Sequence, residues 1–115
     1  MVRRSPSKII EVGFTGGTLW ASGSFSNMAD WCQANHIQRV VNLLRREDVP
    51  LRTRVPAYTH MNFNEEYQER ILEVLKDITS TIYEGGDVLV HCQHGLHRTG
   101  AIITCLLYTS PSPRD

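Results

Sequence analysis

Cysteine is scarce: Cys32, Cys92 and Cys105 are the only three in 115 residues. An odd, small number with no paired spacing excludes a secreted disulfide framework and makes a reducing cytoplasm the simplest home. Long apolar runs are missing too. None approaches the ~20 residues of a membrane-spanning helix, and the basic opening MVRRSPSKII lacks the apolar stretch and cleavage site of a secretory leader. No membrane partner is expected. Net charge is also absent, with 12 basic against 12 acidic side chains, which argues against general binding to nucleic acid or anionic lipid. A hydrophobic fraction of 41% with 21% charged residues excludes a disordered or collagen-like chain.

What remains is one domain with a modest core. Its charge is uneven: residues 1–60 carry eight basic and four acidic side chains, residues 61–115 four and eight. Lys8–Val12 and Thr18–Ala21 read as paired strands around a glycine turn. Asn27, with Asp30 three residues on, resembles a capping box opening a helix that ends near His36. Gln38–Leu44 is β-branched and apolar, as a buried strand is. Arg45–Pro56, charged and broken by prolines, reads as a loop, and Ala57–Met61 as a strand. From Glu65 to Glu84, Tyr67, Ile71, Val74, Leu75, Ile78 and Ile82 recur at helical spacing, and Gly85–Gly86 stop the helix. Asp87–His91 is a strand, and a largely apolar helix runs from Thr99 or Gly100 to about Leu107. Alternating helices and strands predict an α/β layer fold with a mostly parallel sheet. Residues 1–7 are expected to be flexible and 8–107 to be the folded domain. The stretch CLLYTSPSPRD resembles a translated sequencing adaptor. Residues 108–115 are therefore expected to be a non-native tail and the domain to be incomplete at its C-terminal end.

The chemistry concentrates in HCQHGLHRTG, His91–Gly100, running from a strand end into a helix start. Such a loop turns successive backbone N–H groups inward, and with the helix N-terminus they cradle an anion. Gln93, His94, Gly95, Leu96 and His97 are the expected phosphate-binding loop, Gly95 supplying conformations other residues resist. Arg98 closes the ring with a planar fork matched to phosphate oxygens. Cys92 lies at its base, where positive potential lowers a thiol pKa from its ordinary ~8.5. The site that binds a dianion thus prepares the nucleophile that attacks it. The implied reaction has two steps: Cys92 attacks phosphorus and releases an alcohol or phenol, then water hydrolyses the cysteinyl-phosphate. Arg98 and the loop amides stabilise the equatorial oxygens. Thr99 is placed to hydrogen-bond the leaving sulfur, and His91 to order the loop and support the thiolate. No metal or organic cofactor is required. A metal reading through His91, Cys92, His94 and His97 fits no common zinc spacing. A buried, inert cysteine in a tight turn is the bland alternative.

This segment resembles the HC-x5-R-[ST] signature of the cysteine-dependent protein tyrosine and dual-specificity phosphatases, in particular compact bacterial members. LWASGSFS is similar to an early strand and turn of that family and RVVNLLRRED to a later strand, so the resemblance covers most of residues 8–107. It implies a tyrosine/dual-specificity phosphatase-like α/β fold in which a mostly parallel central sheet is flanked by helices. The implied substrate is a phosphorylated protein, on tyrosine or on serine and threonine, or a small phosphorylated molecule. The family also uses an Asp general acid on an upstream loop. The matching stretch, His60–Glu66 (HMNFNEE), contains no Asp. Asn62 and Asn64 cannot act as acids, so Glu65 or Glu66 is the candidate, unless both are simply first-turn helix charges. Partial similarities point to RNA 5′-triphosphatases (His94–Gly95) and to inositol-pyrophosphate phosphatases (His97–Gly100). A phosphate-binding pseudoenzyme, or a sulfurtransferase, is the rival reading. Arg45, Arg46, Arg52 and Arg54 form either a basic rim for a phosphorylated partner or a solvated loop, the second being favoured.

Overall fold

The apolar runs of the sequence become the middle of a five-stranded sheet. A computed structural model of the chain describes residues 7–11, 16–92 and 97–109. The elements in chain order are β1 (Ser7–Glu11), β2 (Thr18–Gly23), α1 (Met28–Ala34), β3 (Ile37–Asn42), α2 (Val49–Arg52), β4 (Ala57–His60), α3 (Phe63–Tyr83), β5 (Asp87–Cys92) and α4 (His97–Thr109). The strands lie in the order β1-β2-β5-β3-β4. Four of them are parallel, and β1 pairs antiparallel with β2 at one edge. The α/β class with a mostly parallel sheet is therefore as the sequence implies.

Alternate residues of the central strands feed two cores. Leu19, Val41, Val88, Val90 and Cys92 pack with Val74, Leu75 and Ile78 of α3 and Ile102 of α4. On the other face, Val40 and Leu89 pack with Met28 and Cys32 of α1 and Leu51 of α2. Covering both faces is what turns β3 and β5 into near-continuous apolar runs rather than alternating ones. The stripe read on α3 is the buried one: Val74, Leu75, Ile78 and Ile82 are in the core, with Tyr67 and Ile71 against it. Among the described residues no helix is long and apolar enough to cross a membrane.

The turn before β2 presses on the turn before β5. A Cβ on Gly17 would sit 1.9 Å from the Gly86 carbonyl oxygen, so only glycine fits there. Gly85, at φ +92°, ends α3 in the left-handed region as its sequence position suggests.

Local expectations fail in four places. Asn27 makes no side-chain cap and takes a left-handed conformation, φ 60°; its expected box partner Asp30 is 2.6 Å from Arg54 instead. The stretch Arg45–Pro56 is not all loop, because it contains α2. Asp48 caps that turn by accepting from the Leu51 N–H at 3.0 Å, and Pro50 sits in the first turn, where its missing N–H costs no hydrogen bond. Helix α3 starts at Phe63, two residues before the expected Glu65. Asn62 is its cap, accepting from the N–H groups of Asn64 and Glu65 at 3.1 and 3.3 Å, while Glu66 accepts from the Asn62 N–H at 2.8 Å. Helix α4 starts at His97 and runs to Thr109, where the sequence suggested an end near Leu107.

Candidate active site

The parallel strands β2, β5, β3 and β4 finish at one edge of the sheet, at Gly23, Cys92, Asn42 and His60. Carboxyl ends of parallel strands are where open α/β sheets bind ligands. Cys92 is the last residue of β5, 1% exposed, and its side chain belongs to the core shared with α3 and α4. Thr99, in the first turn of α4, is fully buried and its Oγ1 donates to Cys92 Sγ at 3.3 Å. Ser24 reaches the same strand end from β2, its Oγ donating to the Cys92 carbonyl at 3.4 Å. Gln93, His94, Gly95 and Leu96 lie outside the described residues, as does the side chain of His97. None of the three cysteines forms a disulfide.

Arg98 is half-buried and lines a cavity of about 500 Å³ with Ser24, Leu44, Arg45, Arg46, Asn62 and Asn64. No carboxylate is among these residues. A neighbouring cavity of about 530 Å³ shares Arg45 and Asn62 and adds Glu47, Glu65 and Glu66. The structure therefore brings Cys92, Thr99 and Arg98 to one strand-to-helix junction, but sets Glu65 one cavity away. Glu65 accepts from the Asn62 side-chain amide at 3.2 Å, and Glu66 is occupied with the α3 cap and lies 3.7 Å from Arg70.

The match with known families now bears on this geometry. Residues 20–111 match the family described as dual specificity phosphatase, catalytic domain. The chain belongs to that family. No curated protein and no solved structure matches it. As a dual specificity phosphatase domain it is of the phosphatase type, and a phosphorylated substrate goes with that. The match begins at Trp20 in β2, where the sequence resemblance was drawn from residue 8.

His91 precedes the nucleophile candidate and is 1% exposed. Among the described residues its ring has no hydrogen-bond partner at either nitrogen. Burial pushes its pKa down to about 4, against the attraction of Asp48 and with a smaller push from His60. It is thus a neutral, packed imidazole at pH 7. What ties it to the neighbouring strand is its backbone, whose carbonyl accepts from the Leu43 N–H at 3.0 Å.

Two further residues shape the site. Asn42, fully buried at the end of β3, accepts from the Leu44 N–H at 2.7 Å and donates to the Arg46 carbonyl at 3.0 Å and to Tyr58 Oη at 2.8 Å. It pins the bend that carries Arg45 and Arg46. The clue was visible as the one polar side chain in the apolar run VVNLL. Asn62, set aside in the sequence as unable to act as an acid, both caps α3 and lines both cavities. The four arginines of Arg45–Pro56 divide: Arg45 and Arg46 line the cleft, Arg52 pairs with Glu47 and Arg54 with Asp30, both at 2.6 Å. Cys32 is core, its thiol pushed up to about 12 by burial. Cys105, half-buried on α4, has its Sγ 3.2 Å from Tyr67 Oη.

Proposed function

We propose that this domain hydrolyses phosphate monoesters through a cysteinyl-phosphate, with Cys92 as nucleophile and Arg98 as phosphate clamp. One observation carries the reading: the buried Thr99 hydroxyl donates to the Cys92 sulfur at 3.3 Å, at the junction of β5 and α4. A helix start places positive partial charge there, on the side where an anionic substrate would bind. In the first step the thiolate attacks phosphorus and the ester oxygen departs with the bonding pair. In the second, water attacks phosphorus, the sulfur departs as thiolate, and Thr99 stabilises it. Arg98 supplies the guanidinium that holds the equatorial oxygens through both transition states. The chemistry needs no cofactor.

Leaving groups decide the substrate class. With Asn62 and Asn64 in the Arg98 cavity and no carboxylate there among the described residues, protonation of a departing alkoxide is the weak step. Aryl phosphates, whose phenolate departs without help, are the preferred substrates, and phosphotyrosine in a protein is the physiological form of that chemistry. Glu65, one cavity away, is the carboxylic acid best placed to serve alkyl substrates such as phosphoserine or phosphothreonine.

The test is turnover of para-nitrophenyl phosphate by the full chain. Cys92→Ser is expected to abolish it while phosphate still binds, and rapid acid quench of the unsubstituted protein to trap one phosphoryl group on Cys92. Undiminished turnover in Cys92→Ser overturns the assignment. That Asn62 and Asn64, rather than a carboxylate, line the Arg98 cavity among the described residues favours one second reading, a domain that binds phosphate without turning it over. Such a domain gives the binding and no trapped phosphoryl group.

A further inference from the structure

We infer that the groove between the start of α3 and the start of α4 receives a basic side chain of the substrate peptide, and so selects the sequence around the phosphorylated residue. The inference rests on the reading of the neighbouring cleft as a phosphatase site and names the kind of protein substrate it takes. A cavity of about 590 Å³ lies in this groove, lined by Phe63, Asn64, Tyr67 and Ala101 together with Glu65 and Glu69. Its aromatic wall is the Phe63–Tyr67 pair, with ring centroids 4.8 Å apart and planes tilted by 53°. Both residues are half-buried and pack against the core that α3 and α4 share with the sheet. Asn64 lines this cavity and the Arg98 cavity alike, so the groove adjoins the proposed phosphate site.

Charge identifies the occupant. No basic side chain lines this cavity among the described residues, whereas three arginines line its neighbour. Other acids of α3 are matched close by: Glu66 and Glu73 lie 3.7 and 3.0 Å from Arg70, and Asp77 lies 3.8 Å from Arg39. Among the described residues Glu65 and Glu69 form no such ion pair. They stand four residues apart on one helix, where like charges repel, and a cation between them relieves that repulsion. The positive end of α3 opposes a cation with only about half an elementary charge. Asn62 already caps it, and two carboxylates outweigh it. A basic side chain seated here lays its stem on the aromatic pair and gives its head to the carboxylates. A planar guanidinium suits both contacts better than an ammonium, so arginine is the preferred residue. An extended chain advances ~3.3–3.6 Å per residue, which places that arginine within about three residues of the phosphorylated one.

The experiment measures kcat/KM of the full chain on phosphotyrosine peptides of otherwise uncharged sequence. One arginine is moved through the positions within about three residues on either side of the phosphorylated one, with glutamine in its place as the reference. At a favoured position arginine is expected to raise kcat/KM about fivefold over glutamine, as an exposed ion pair and a cation–π contact together allow. Glu69 is exposed, so its substitution leaves the core alone. Glu69→Gln is expected to lower the ratio, and Glu69→Lys to reverse it in favour of a glutamate at the same peptide position. Each ratio is taken within one variant, so a change in basal turnover cancels. Three results overturn the inference: a ratio near one throughout, an equal advantage at every position, or a preference for arginine that survives Glu69→Lys. Turnover of para-nitrophenyl phosphate through Cys92 then still upholds the phosphatase reading, as it does if no peptide is turned over, which also overturns the inference. No turnover of either kind of substrate overturns both.

Discussion

A hydroxyl that donates to a sulfur helps that sulfur most when it carries negative charge, which in the proposed cycle is before attack and again on departure. Because Thr99 is fully buried, water cannot take its place. Thr99→Ala is expected to slow breakdown of the phospho-enzyme by about tenfold, the worth of one hydrogen bond to a charged group. Phenol release in the first turnover is then followed by a slow steady state, so stopped-flow traces should acquire a burst that Thr99→Ser removes. A variant with no burst and an unaltered steady state places the hydroxyl outside the reaction. His91 makes a separate claim on pH. Its folded pKa, about 4, lies below the ordinary 6.5, so protons favour the unfolded chain. The stability it protects is complete above pH 6.5 and is lost as pH falls toward 4, with a total on the order of 3 kcal/mol. Urea unfolding at pH 7 and pH 4.5 should show a larger loss for the unsubstituted protein than for His91→Gln, and equal losses would contradict this. Cys92, Arg98 and Thr99 were legible in the sequence because one short segment contains them. The neutrality of His91 was not, because it comes from burial by residues distant along the chain.

At the scale of elements, the caps and bends explain both what the sequence revealed and what it hid. Helix α3 declared its interior, since Val74, Leu75, Ile78 and Ile82 keep one period for the whole length of the helix. Its start did not, because Asn62 acts through local geometry that many asparagines share, and the Asn27 reading failed for the same reason. Asn42 is the element-scale counterpart of Thr99: it touches no reacting group but fixes the loop between β3 and α2. Asn42→Asp keeps the acceptor for the Leu44 N–H and loses both donors, to the Arg46 carbonyl and to Tyr58 Oη. It also buries a carboxylate. We expect a loss of about 3 kcal/mol in equilibrium unfolding, from the unpaired polar groups and the desolvated charge. Asn62→Ala should cost less, about 1 kcal/mol, as the loss of a helix cap does. An Asn42 variant no more destabilised than the Asn62 variant would mean that the bend is held by other contacts.

The whole molecule separates its charge. The excess of basic residues in 1–60 and of acidic residues in 61–115 was plain in the sequence, but its meaning depended on strand order, which no local pattern encodes. Placing β5 between β2 and β3 brings Arg98 from the acidic half beside Arg45 and Arg46 from the basic half. The acids of the second half meanwhile run along α3, where Glu66, Glu73 and Asp77 are partly neutralised by Arg70 and Arg39. The result is a net-neutral chain with a cationic cleft, so an anionic substrate is drawn to one place rather than to the whole surface. Screening should weaken that attraction without touching the chemistry of the bound complex. For para-nitrophenyl phosphate, kcat/KM is expected to fall about threefold between roughly 20 and 200 mM sodium chloride, with kcat nearly constant. The steeper fall belongs to substrates with more negative charge, and Arg45→Gln should flatten the dependence because it removes a cation that acts through the field as well as by contact. A kcat/KM indifferent to salt would mean that the three arginines act at contact distance alone, and that the charge asymmetry of the chain has no part in bringing substrate to the cleft.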